Sequence, residues 1–118
     1  MLDSGLLISW KEIYPGREKQ ALRLFTEVVT YHQKVLDAGR LSGFEPFVLG
    51  VHGGGLRGFM IVRGTPEQIT AVRHDDEFLG YVFRAQMLIK DLDVDELYFG
   101  EQLGHVLKLF EQQIAALA

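Results

Sequence analysis

The sequence predicts an α+β domain: an antiparallel sheet with helices on one face, in the order βαββαβ, followed by one further helix. Apolar residues recur at three- and four-residue steps over 17–39 and 101–117, whereas short apolar or alternating runs occupy 6–13, 44–51 and 56–63. Turn chemistry divides these runs: Tyr14-Pro15-Gly16 follows the first, His52-Gly53-Gly54-Gly55 separates the next two, and Thr65-Pro66 closes the third. With 118 residues, 47% of them hydrophobic, and a net charge of −4, the chain fills one core rather than two and is too apolar for disorder.

Leu6-Leu7-Ile8-Ser9-Trp10-Lys11-Glu12-Ile13 reads as the first strand. The helix after it carries Ala21, Leu24, Phe25, Val28, His32, Val35 and Leu36 on one stripe, with Arg23, Glu27, Lys34 and Asp37 off it, and Gly39 is its C-terminal stop. The runs 44–51 and 56–63 form a hairpin around the three glycines, which supply the positive φ of a tight reversal. Pro46 cannot donate to a ladder, so the first arm is an edge strand. Thr65-Pro66-Glu67-Gln68 has the chemistry of a helix start: Thr as cap, Pro at the first position, Gln completing a capping box. This helix breaks near His74-Asp75-Asp76-Glu77, where Asp75 caps a second segment bearing Phe78, Leu79, Val82 and Phe83. Leu97-Tyr98-Phe99 ends the last strand at Gly100, and residues 86–96 fit helix and strand equally. The final helix carries Leu103, Val106, Leu107, Phe110, Ile114 and Leu117 on one side.

The hairpin bears on quaternary structure. Helices on one sheet face should leave the other face polar, yet Phe59 and Ile61 fall on one register while Met60 and Val62 fall on the other. Val48 likewise opposes Phe47, Leu49 and Val51. A second apolar face needs a cover, and the same face of a second subunit supplies one, giving a homodimer.

This order of elements resembles the ferredoxin-like fold. Over residues 6–99 the order and patterning resemble the dimeric α+β barrel superfamily, whose ferredoxin-like subunits pack sheet to sheet. That resemblance implies one of several chemistries: cofactor-free oxygenation of aromatic compounds, haem degradation, peroxidase-like reactions or lactone isomerisation. The chain departs from the monooxygenase pattern of Asn, Trp and His, for it contains no Asn and its single Trp lies in the first strand.

His32, within the apolar stripe of the long helix, points at the sheet. It is a candidate general base or haem-type ligand, and equally a core histidine bonded to a neighbour. Trp10 and Tyr31 are candidate aromatic walls for a flat apolar ligand such as an organic acid or ketone, or ordinary core. Glu12, Glu45, Arg57 and Arg63 lie on strands and read as edge charges or a polar pocket. His52 is a second proton-transfer candidate; the glycines beside it are turn residues rather than a phosphate loop, since a strand follows them and no Gly-Lys-Ser/Thr does. His74-Asp75-Asp76-Glu77 has the composition of a metal site without the spacing, and no serine sits in a nucleophile elbow. No cofactor is specified.

Basic residues are scattered and outnumbered, 12 against 16 acidic, so nucleic acid is not an expected partner. The chain has no cysteine, no basic stretch before an apolar leader, and no apolar run long enough to span a bilayer, so the expected setting is the cytoplasm and no membrane is expected as a partner. Two functions fit: a homodimer binding or transforming a small apolar or aromatic compound, and a non-catalytic dimerisation module. A cavity of about 300 Å³ reaching His32 would favour the first, a close-packed interior the second.

Overall fold

A computed structural model describes residues 3–50 and 54–118. Its elements are β1 (Ser4–Trp10), α1 (Glu18–Asp37), β2 (Gly43–Val48), β3 (Gly58–Gly64), α2 (Pro66–Arg73), α3 (Asp76–Leu88), β4 (Asp93–Leu97) and α4 (Gly100–Leu117). The strands form one sheet in the order β2-β3-β1-β4, every neighbour antiparallel. This is the ferredoxin-like α+β arrangement, with α4 added.

Local chemistry sets most boundaries. Gly39 takes φ +75 after α1, and the chain closes with Gly39 N–H donating to the Leu36 carbonyl and Arg40 N–H to the Val35 carbonyl. Thr65 and Gln68 form the reciprocal capping box of α2, with Pro66 at its first position. Asp75 starts α3 by accepting the Glu77 N–H. Pro46 lies on the edge strand β2, where its missing N–H costs no ladder bond.

Several boundaries differ from the sequence reading. The hairpin arms are shorter at the turn, β2 ending at Val48 and β3 beginning at Gly58, and Gly55 does not take a positive φ. β1 leaves the sheet after Trp10; residues 11–14 instead bond to 88–90, through Lys11 N–H to Lys90 O, Lys90 N–H to Glu12 O and Tyr14 N–H to Leu88 O, with Ile13 bridging Ile89. The ambiguous 86–96 stretch divides between the end of α3 and the start of β4. Gly100 opens α4 rather than closing a strand, because the ladder already ends at Leu97.

Register separates the two faces. Leu6 opposes Val62 and Ile8 opposes Met60, and all four are buried beneath the helices with Trp10, Tyr31, Val35, Leu41, Ile69, Val72 and Phe78. The alternate residues face away: Leu7 opposes Ile61, and Phe47 opposes Phe59, their rings stacked at 4.8 Å. Among the described residues no helix covers this open face, and α4 packs substantially against no other element. The radius of gyration, 16.3 Å, records that projection, since about 13.5 Å is usual for a domain of this length. No helix among the described residues is long and apolar enough to cross a membrane.

Candidate functional site

The stripe that carries Val28, Val35 and Leu36 inward carries His32 with them, and its exposure is 0%. Its ring lies flat on Phe44, centroids 4.7 Å apart and 6° from parallel, with the edges of Tyr31 and Phe78 against it at 4.9 and 5.8 Å. Nδ1 lies 2.8 Å from the Val28 carbonyl. A carbonyl only accepts, so Nδ1 carries the proton and the neutral tautomer leaves Nε2 bare. Nε2 has no hydrogen-bond partner among the described residues. Burial holds the imidazole below its ordinary pKa, the Val28 bond opposing weakly. The result is a neutral base in a fixed tautomer, walled from solvent by Phe44 on the edge strand.

Tyr31, also buried, turns its hydroxyl out of the aromatic cluster and donates to Asp75 Oδ2 at 2.6 Å. Burial first, and the Asp75 carboxylate second, push the phenol well above its ordinary range. Asp75 thus performs two tasks, capping α3 and anchoring α1 to it. Next to it Tyr81 meets Tyr31 edge to face at 5.4 Å and donates to Glu77 Oε2 at 2.9 Å.

Trp10 is brought into the same core but to a different part of it. Among the described residues its ring partner is Phe25, 5.9 Å away, and no ring contact joins it to His32 or Tyr31. It lies over its ladder neighbour Gly58, where a Cβ would stand 2.5 Å from Trp10 Cζ2. His52 lies outside the described residues. Of the strand charges, Glu45 and Arg63 pair across the open face at 3.6 Å, Glu12 pairs with Lys90 at 3.7 Å, and Arg57 donates to the Gly54 carbonyl. At the helix break His74 donates from Nδ1 to the Thr70 carbonyl while Asp75 is committed to Tyr31 and the cap, so these side chains diverge.

The sequence reading missed a cleft between α1 and α3. A cavity of about 400 Å³ is lined by Arg17, Gln20, Arg23, Leu24, Glu27, Arg84, Met87 and Leu88. Arg17 is held by the Met87 carbonyl at 2.5 Å, and Arg84 by Glu27 at 3.1 Å and by the Tyr81 ring 4.8 Å away. Three guanidinium groups and one carboxylate over an apolar floor form a locally positive cleft in an acidic chain. Gln20, Leu24 and Glu27 share one flank of α1, a spacing visible in sequence; that α3 would set Arg84 and Met87 opposite is visible only in the fold. A second cavity, about 260 Å³, lies between Gly39-Arg40 and Glu67, Gln68, Ala71 and Val72. Neither cavity is lined by His32.

A scan against protein-family models and a search of curated proteins each give no match. Among solved structures the chain is similar to a dimeric protein of unknown function with a ferredoxin-like fold from Bacteroides fragilis. The TM-score is 0.62 at 6% identity, over 82% of this chain and 96% of that one. At that identity the likeness is one of fold, and it agrees with the strand order found here.

Proposed function

We propose that this chain is a homodimerising module of the dimeric α+β barrel type, its two sheets packed open face to open face. The observation that carries the reading is the open face itself. Phe47, Phe59, Leu7, Ile61 and Leu97 all lie on it, half-buried or exposed, with no helix of the described residues above them. Covering each such side chain fully is worth about 1.5–3 kcal/mol, so even half of that over five residues is several kcal/mol. Glu45 and Arg63 across the sheet, with Asp93 and Asp95 on β4, give the face a polar rim of the kind that surrounds an interface core. The dimeric state of the Bacteroides fragilis protein supports the reading. So does the interior: the space between α1 and the sheet is filled by His32, Phe44, Phe78 and Tyr31 rather than left for a ligand. Sedimentation at micromolar concentration tests it. A dimer that Ile61→Arg converts to a folded monomer is the expected result, and a wild-type monomer overturns it.

A second reading, binding of a small organic acid, is favoured by the α1–α3 cleft. A carboxylate there would meet Arg23, which has no hydrogen-bond or ion-pair partner among the described residues, while Leu24, Met87 and Leu88 receive an apolar body. Calorimetry with benzoate, phenylacetate and octanoate tests this reading. Saturable binding that Arg23→Gln abolishes supports it, and no heat with any of the three rejects it.

A further inference from the structure

The α1–α3 cleft holds three guanidinium groups, and two of them are already engaged. Arg17, at the end nearest the start of α1, donates to the Met87 carbonyl. Arg84, at the other end, is held on two sides: its Cζ lies 4.8 Å from the centre of the Tyr81 ring, and Nη1 donates to Glu27 Oε2 at 3.1 Å. Tyr81 is fixed in turn, donating to Glu77 Oε2 at 2.9 Å. Arg23, between the two ends on α1, has neither a hydrogen-bond nor an ion-pair partner among the described residues. Glu27 follows Arg23 by one helical turn, so the two side chains leave α1 on the same flank, about 5–6 Å apart at Cβ. An anion bound at Arg23 therefore has the Glu27 carboxylate as its neighbour along the cleft.

We infer that Glu27 restricts the cleft to ligands with a single carboxylate. It fills the Arg84 end with a carboxylate of the protein's own, and of the three arginines it leaves Arg23 as the guanidinium open to an acid. This restriction rests on the acid-binding reading of the cleft and adds which acids are taken. A monocarboxylate seated at Arg23 leaves the Glu27–Arg84 pair intact. A dicarboxylate extended along the cleft puts its second group beside Glu27, where like charges repel and Arg84 is not free to compensate. With the Glu27 charge removed, Arg84 presents its donors to that second group, and two guanidinium groups a turn apart then suit a dianion.

The Glu27 and Arg84 side chains are about half-exposed, and a surface pair of that kind contributes little to stability, so Glu27→Gln keeps the fold. Calorimetry at low salt, where surface charge is least screened, compares benzoate with terephthalate, which carries carboxylates at opposite ends of one ring. Terephthalate should bind Glu27→Gln about tenfold more tightly than wild type, and benzoate within about threefold of it. Adding Arg84→Gln should take the terephthalate gain away. Glu18→Gln removes an acid that does not line the cleft and should leave both affinities within about threefold of wild type, as the control for net charge. The restriction is overturned by an equal gain for the two acids, by the same gain in Glu18→Gln, or by a gain that survives Arg84→Gln. Benzoate binding with no terephthalate gain overturns it too and leaves the acid-binding reading standing, whereas no binding of either acid to wild type or Glu27→Gln removes both.

Discussion

His32 stacks on Phe44 at 4.7 Å and 6° from parallel, joining the middle of α1 to the edge strand through two aromatic faces and no hydrogen bond. Because the imidazole is enclosed, protonating it requires the cluster to open or a charge to be buried, and its pKa is accordingly lowered from the ordinary 6.5. For a group depressed in the folded state and ordinary in the unfolded one, the unfolded chain binds the additional proton as pH falls. Stability is therefore complete above about pH 6.5 and declines below it, at no more than about 1.4 kcal/mol per pH unit from this one group. His32→Phe keeps a ring on Phe44 and removes the titration. Denaturant unfolding from pH 7.5 to 5 should show a shallower decline in the variant than in wild type; parallel curves would mean that His32 is accessible to protons in the fold.

Tyr31 and Asp75 tie α1 to the start of α3. Tyr31→Phe removes a 2.6 Å bond to a carboxylate and little else, a loss of about 1.5–3 kcal/mol when such a bond is sheltered. Asp75→Ala loses that bond and the α3 cap together, so it should cost more, by about 1 kcal/mol. The double variant should fall short of the sum of the two, because the bond they share is lost only once. Additive costs would show that the hydroxyl and the carboxylate act independently.

How far these relationships were legible depends on how far along the chain their causes lie. The Thr65–Gln68 box, the Gly39 stop, the Asp75 cap and the edge position of Pro46 are settled within a few residues, and sequence chemistry identifies each. The burial of His32 follows from its spacing to Val28 and Leu36. That Phe44 would be its stacking partner does not follow, nor does the bond between Tyr31 and Asp75 or that between Glu27 and Arg84, since the first pair meets only when β2 takes its place beside α1 and the other two only when α3 docks on α1. β4 was obscured by its acids. Asp93, Asp95 and Glu96 sit on an edge strand with one neighbour, where charge is tolerated and the apolar alternation shrinks to Val94 and Leu97.

Two glycines should respond to alanine with opposite signs. At Gly58 the new Cβ would stand 2.5 Å from Trp10 Cζ2 and 2.8 Å from the Phe47 carbonyl oxygen, and Trp10 is already wedged against Phe25. Indole or strand must move, so Gly58→Ala should destabilise by about 1–3 kcal/mol and alter the Trp10 fluorescence of the folded protein. At Gly80, inside α3, a Cβ meets nothing within 4 Å and the backbone is helical. Alanine there restricts the unfolded chain and should stabilise by about 0.5–1 kcal/mol. Chemical denaturation of both variants checks the pair. Gly58→Ala with wild-type stability would show that Trp10 can leave its seat over β3 at no cost, and that the close approach of indole to backbone does not fix its position.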